Sequence, residues 1–174
     1  MSETAKIEFG GKTVELPVIT GTENEKAIEI KDLRSQTGLV TMDPGYKNTG
    51  STISGITYLD GENGILHYRG YPIEQLAEKA SFIEVTYLLI YGELPTKTQL
   101  EAFKKSITLH TLVHEDMKQF FEAYPSKAHP MGVLASMVMS LSTFYPESQT
   151  PNRPEEEVNL TIHRLLAKLP TLAA

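Results

Sequence analysis

One segment of the chain, residues 130–146, carries no charged side chain. It opens with Pro130, a residue that favours the first turn of a helix, so the segment is predicted to be helical to about Tyr145. It is too short and too rich in Ser and Thr for a membrane span, which needs about 20 mostly apolar residues. A helix without a polar face is buried on all sides. We therefore expect several neighbouring helices, and we expect part of the cover to come from missing sequence or a partner subunit.

The N-terminal part of the chain follows the alternating pattern of β-strands instead. Residues 7–9 alternate between apolar and polar, Gly10-Gly11 follows, and residues 14–18 alternate again, which predicts a β-hairpin. Residues 27–31 show the same alternation. A second hairpin is predicted over residues 51–68, because Asp, Asn and Gly in its middle tolerate positive φ angles.

After the second hairpin, the apolar residues take helical spacing. Ser81 with Glu84, and Thr96 with Gln99, have the order of a capping box and predict two helix starts. Gly92 suits the position just after a helix. The predicted helices cover residues 73–80, 82–91, a stretch from 97 onward, 114–123, 130–145, and a last one that opens at Pro154 and closes near Lys168. We therefore expect a β-rich N-terminal domain, residues 1–46, and a helical domain, residues 47–174.

Composition excludes several classes of protein. The chain has 22 acidic and 16 basic residues, a net charge of −6, and no basic stripe for nucleic acid or polybasic run for anionic lipid. The absence of Cys excludes disulfide scaffolds, Cys-based zinc sites and thiol nucleophiles. Residues 1–6 do not begin a secretory signal. We expect a cytoplasmic protein with neither nucleic acid nor membrane as a partner.

Two local patterns are candidates for a site. His110 and His114 stand four apart, as two metal ligands on one helix face would, but the His-Glu-x-x-His order is missing and a helix break is expected near Thr111. Surface or capping histidines are the favoured interpretation. Arg69 lies between two tyrosines and either forks to an anion or marks a corner of the backbone, and the corner is favoured. Spacing alone thus predicts no catalytic, cofactor or metal site.

A longer set of motifs runs in order through nearly the whole chain. It comprises Ser51-Thr52-Ile53-Ser54, Tyr58-Leu59-Asp60-Gly61, Gly64-Ile65-Leu66, Tyr68-Arg69-Gly70-Tyr71-Pro72-Ile73, Leu94-Pro95-Thr96, His129-Pro130-Met131 and Leu165-Leu166-Ala167-Lys168-Leu169-Pro170-Thr171. These motifs resemble the N-terminal portion of citrate synthases, and the strand-rich segment before Pro44 resembles the bacterial form with an N-terminal β-domain. The resemblance implies a mainly α fold, in which an incomplete citrate-synthase-like helical domain follows a small β-rich domain.

The resemblance also implies an activity. Citrate synthase is an acyltransferase of the tricarboxylic acid cycle that condenses acetyl-CoA with oxaloacetate and water, as a homodimer or hexamer and without a metal or other cofactor. Its Asp and His catalysts and its oxaloacetate-binding Arg residues have no matching position in this chain. The chain alone is therefore expected to be inert. Two alternatives stay open: a non-catalytic assembly or regulatory module, and a fragment of 2-methylcitrate synthase, which uses propionyl-CoA.

One site of the bacterial hexameric type does fall within the chain. In that type, an Arg-His-Thr-Met run, a Tyr, and an Arg and a Lys on a later helix form an inhibitory NADH site. The resemblance assigns the corresponding allosteric positions here to His110, Thr111, Tyr145, Arg164 and Lys168. Leu109 stands where the run has a phosphate-binding Arg, which removes a cation and a bidentate donor. Simple packing at a helix junction is the alternative interpretation of these residues.

Overall fold

The computed structural model describes residues 3–174, and the chain divides into two units, one ending at Ser54 and one comprising Gly55–Ala174. In the first unit, β1 (Thr4–Phe9) and β2 (Lys12–Thr20) form the predicted antiparallel hairpin. Gly10 and Gly11 join them with φ angles of 59° and 75°, which most side chains avoid. β3 (Lys26–Ile28) pairs with the end of β2 and completes a three-stranded sheet.

A short helix closes the first unit. The helix α1 (Leu33–Thr37) ends at Gly38, whose φ of 79° is the left-handed conformation typical of helix ends. Our expectation of strands and turns alone was wrong here, because five residues are too few to show a helical period. Leu33 packs with Val14 and Leu16 of β2 to form the buried core of this unit.

The second unit begins with a small antiparallel sheet. β4 (Thr57–Asp60) pairs with β5 (Ile65–Tyr68), and β5 pairs with β6 (Tyr71–Pro72). The Asp60 carboxylate accepts hydrogen bonds from the backbone N–H groups of Glu62 and Asn63 and so shapes the turn. The second predicted hairpin is thus confirmed, although its first strand begins later in the sequence than Ser51.

Six α-helices and one 3₁₀ helix follow within the described residues. They are α2 (Ile73–Lys79), α3 (Phe82–Tyr91), α4 (Lys97–Leu109), α5 (Met117–Ala123), α6 (Pro130–Phe144), the 3₁₀ helix (Pro146–Gln149) and α7 (Glu155–Ala173). Both predicted capping boxes are present, at Ser81 with Glu84 and at Thr96 with Gln99. The mainly α fold is therefore confirmed for this chain.

Two predicted helix boundaries were wrong. α5 begins at Met117 and not at His114, because the His114 imidazole accepts a hydrogen bond from the Asp116 N–H and its carbonyl accepts one from Met117 in a preceding turn. α7 continues past Lys168 and includes Pro170 in its last turn. Its closing residue was misjudged because the Lys168 side chain binds carbonyls of another segment and does not cap its own helix.

The charge-free helix α6 forms part of the larger core. Met137 and Leu141 are buried with Met117 of α5 and Leu172 of α7. Met131 and Met139 on the same helix are 63% and 74% exposed. The described residues therefore cover one face of α6 and leave another in solvent. Among residues 3–174, no helix combines the length and apolar character needed to cross a membrane.

Candidate functional site

The five residues that the resemblance assigns to a nucleotide site lie close together in the structure. His110 and Thr111 follow the end of α4, Tyr145 follows the end of α6, and Arg164 and Lys168 lie one turn apart on α7. The side chains of both cations approach the Tyr145 ring, and the Lys168 ammonium also reaches the segment that contains His110. Three helix segments that are distant in sequence thus meet at one point.

Lys168 is the centre of this junction. Its side chain is buried, with 3% of the residue exposed, and its ammonium donates hydrogen bonds to the carbonyl of His110 at 2.8 Å and to that of Leu112. The same nitrogen lies 5.5 Å from the centre of the Tyr145 ring. Carbonyls just beyond a helix lack helical partners, and a buried cation needs such acceptors. Lys168 therefore attaches α7 to the chain segment that follows α4.

Arg164 also contacts the Tyr145 ring. Its guanidinium carbon lies 4.5 Å from the Tyr145 ring centre, and its Nη1 donates to the Glu147 carboxylate at 2.6 Å. The hydrogen bond from Arg164 is the largest cause that lowers the pKa of Glu147 below its usual value. Glu147 was not predicted from the sequence, where its only distinction is that it directly follows the charge-free segment.

His110 and Thr111 use their polar atoms locally. The His110 Nδ1 lies 2.7 Å from the Ser106 carbonyl oxygen, and the Thr111 hydroxyl donates to the Thr108 carbonyl at 3.0 Å. The Thr111 carbonyl in turn accepts the hydroxyl proton of Thr171 on α7 at 3.1 Å. These contacts fix the end of α4. Leu109, where the resemblance implies an Arg, is 70% exposed, so the position has room for a longer side chain.

A cavity of about 240 Å³ opens beside Tyr145, Arg164 and Lys168. Apolar side chains of α6 and α7 form much of its wall, and hydroxyl and cationic groups form the remainder. The lining residues are Val138, Leu141, Ser142, Tyr145, Ser148, Thr161, Arg164, Leu165 and Lys168. An apolar wall with a few polar groups and an aromatic ring is the usual character of a small-molecule site.

A second cluster, which sequence analysis also missed, surrounds His163 of α7. Its Nε2 lies 2.9 Å from the Tyr91 hydroxyl of α3 and its Nδ1 lies 2.8 Å from the Ser106 hydroxyl of α4. The edge of Phe103 packs against the imidazole at 5.1 Å between ring centres. Burial, and to a lesser degree the nearby His110, lowers the pKa of His163. This histidine joins three helices, and its lowered pKa favours the neutral imidazole.

The other candidates from the sequence have structural roles. Arg69 has a positive φ of 51°, and its guanidinium donates to the carbonyls of Gly55 at 3.2 Å and Leu89 at 2.9 Å, so it holds a backbone corner against the end of α3. His110 and His114 lie outside α4 and α5 and do not share a helix face. Among the described residues, no group of three or more His, Cys, Asp or Glu side chains is placed to hold a metal ion.

Comparison with known proteins places this chain in one enzyme family. The family model described as citrate synthase, C-terminal domain, matches residues 45–174, which include every helix from α2 to α7. The chain belongs to the citrate synthase family, whose members are acyltransferases.

Individual relatives agree with this assignment. Citrate synthase 1 of Mycobacterium tuberculosis is 49% identical over 172 residues, which are 99% of this chain and 40% of that protein. Citrate synthase of Corynebacterium glutamicum is 48% identical, over 98% of this chain and 39% of that protein. The crystal structure of citrate synthase from Pyrobaculum aerophilum has a TM-score of 0.64 and 27% identity, over 98% of this chain and 39% of its own. The chain therefore spans about two fifths of the length of these relatives.

Proposed function

We propose that this chain is the N-terminal portion of a citrate synthase whose whole form condenses acetyl-CoA with oxaloacetate and water to give citrate and CoA. The observation that carries the proposal is the 49% identity to a citrate synthase across 99% of the chain. The whole enzyme is proposed to work in the cytoplasm as a homo-oligomer, a dimer or a hexamer, without a metal.

We propose further that the chain alone has no condensing activity. It spans about two fifths of the length of its relatives, and the resemblance puts the proton-transferring Asp and His outside its 174 residues. The test mixes the purified chain with acetyl-CoA and oxaloacetate and follows free thiol, with a whole citrate synthase as the positive control. The expected rate equals that of the blank, and CoA release that scales with chain concentration would contradict this proposal.

The acyl substrate is the point on which citrate and 2-methylcitrate synthases differ. We propose acetyl-CoA, because the relatives at 48% and 49% identity are citrate synthases. The whole enzyme is expected to have a higher kcat/KM for acetyl-CoA than for propionyl-CoA. The opposite order would indicate a 2-methylcitrate synthase.

For the junction of His110, Thr111, Tyr145, Arg164 and Lys168 we propose a regulatory nucleotide site of the kind that binds NADH. The cavity beside Tyr145, with an apolar wall and two cations, supports this function. The missing cation at Leu109 makes binding weak, so the Leu109→Arg variant is expected to bind NADH more tightly than the wild type. Leu59→Arg, which adds the same charge at a position in β4 that is also 68% exposed, is the control. Equal affinity in both variants would refute the site.

A further inference from the structure

The ion pair between Glu147 and Arg164 involves one of the two cations of the proposed nucleotide site. Glu147 lies on the 3₁₀ helix, and its Oε1 is 2.6 Å from the Nη1 of Arg164, which lines the cavity. We infer that Glu147 is an internal anion that competes with nucleotide phosphate for the Arg164 guanidinium and so sets the affinity of the site. This inference rests on the proposed regulatory function of the junction.

The two cations of the junction differ in what they can offer a ligand. Lys168 is buried and donates to two backbone carbonyls, so only one of its three N–H donors is left for a phosphate. The Arg164 side chain is 22% exposed, its guanidinium carbon lies 4.5 Å from the Tyr145 ring centre, and both residues line the cavity. A guanidinium forks to carboxylate and phosphate with the same geometry. Recognition of a nucleotide phosphate therefore depends mainly on the Arg164 guanidinium.

Displacement of Glu147 requires movement of one side chain only. Its side chain is 45% exposed, whereas the backbone around it is held by Ser148 N–H to the Tyr145 carbonyl at 2.9 Å and by Thr150 N–H to the Glu147 carbonyl at 3.2 Å. The Gln149 amide also donates to the Ser142 carbonyl at 2.8 Å. The carboxylate can therefore rotate into water while the 3₁₀ helix stays in place. An exposed ion pair is weak, which makes the exchange for a phosphate feasible.

Removal of the competing charge should therefore strengthen binding. In the experiment, the chain and its Glu147→Gln variant are titrated with NADH, and binding is followed by NADH fluorescence. The chain has no Trp, so no tryptophan emission contributes to the signal. Glu115→Gln is the matched control, since Glu115 pairs with Lys118 on the surface at 2.5 Å and its loss changes the net charge equally. Far-UV circular dichroism establishes that each variant is folded. Inorganic pyrophosphate serves as a second probe that lacks the nucleoside.

We expect the dissociation constant for NADH to fall about fivefold in Glu147→Gln, the size typical of one partly exposed charge pair, and to stay unchanged in Glu115→Gln. Pyrophosphate should displace NADH at lower concentration from the Glu147→Gln variant than from the wild type. If Arg164→Gln abolishes NADH binding while Glu147→Gln equals the wild type, competition by Glu147 is overturned and the site survives. If neither the wild type nor the Glu147→Gln and Leu109→Arg variants bind NADH, both the competition and the site are overturned.

Discussion

Replacement of Lys168 by methionine is the sharpest test of how the helical unit is held together. Methionine keeps a similar unbranched stem and removes the ammonium, so packing changes little while two hydrogen bonds are lost. The carbonyls of His110 and Leu112 then lose their donor in a position where the lysine is only 3% exposed. Water has little access to replace that donor, so the penalty of unmade hydrogen bonds applies.

The expected magnitude follows from these two contacts. A hydrogen bond to a charged group contributes about 1.5–3 kcal/mol to stability. The variant loses these two bonds and the contact of the ammonium with the Tyr145 ring at 5.5 Å. Part of that loss is offset because methionine, unlike lysine, buries no charge. We therefore expect Lys168→Met to lower the free energy of unfolding by about 2–4 kcal/mol. At this chain length that loss corresponds to a fall in Tm of roughly 4–16 °C.

The assay is urea and thermal unfolding followed by the helical signal in far-UV circular dichroism. Lys118→Met is the matched control, because the Lys118 side chain is 68% exposed and forms a surface ion pair with Glu115 at 2.5 Å. Its midpoint is expected to equal that of the wild type. If Lys168→Met unfolds within about 0.5 kcal/mol of the wild type, the junction does not depend on these hydrogen bonds and our account of Lys168 is wrong.

Three further predictions concern the helical unit, each followed by circular dichroism. Ser81→Ala removes the capping box of α3 and should cost about 0.5–2 kcal/mol, whereas no loss of stability would show that the cap is redundant. Leu88→Ala, at a fully buried position, should cost about 2–5 kcal/mol, and Leu94→Ala, at a position 38% exposed, should cost clearly less; equal losses would contradict the burial. Because the pKa of His163 is lowered by burial, the unfolded chain takes up its proton first as the pH falls through 6.5, so stability should decrease from pH 7 to pH 5. His163→Gln should show a smaller decrease, and an unchanged pH dependence would refute this role.

Local sequence was sufficient to predict those parts of the fold that are determined locally. The capping boxes at Ser81 and Thr96 were found because each needs only residues three apart to satisfy exposed backbone donors. The Gly10-Gly11 turn was found because a two-residue glycine connection between alternating runs is typical of a hairpin and glycine adopts positive φ without strain. The end of α7 was not found, because the partner that diverts Lys168 from capping its own helix lies 58 positions away in the sequence.

The residues of the candidate site were likewise predicted only in part. Its five assigned residues followed from a resemblance, and the structure shows that they meet. Glu147 and His163 were missed because their importance depends on long-range contacts, with Arg164 at 17 positions and with Tyr91 at 72. Neither residue stands in a pattern whose spacing predicts a partner. A single sequence therefore indicates the five assigned residues more readily than the residues that contact them from elsewhere in the fold.

The hydrogen bonds of the junction also determine which of its two possible roles comes first. Lys168 and Arg164 are both already engaged within the chain, one by carbonyls and the other by Glu147. A nucleotide that bound to Lys168 would find one free donor beside two that hold the segment after α4, whereas one that bound to Arg164 would displace a single exposed carboxylate. The helix junction is therefore held together without a ligand, and Arg164 is the cation that a ligand can engage by displacing one side chain. Substitutions at Leu109 and Glu147 are therefore expected to change nucleotide affinity without loss of the contacts that hold the helices together.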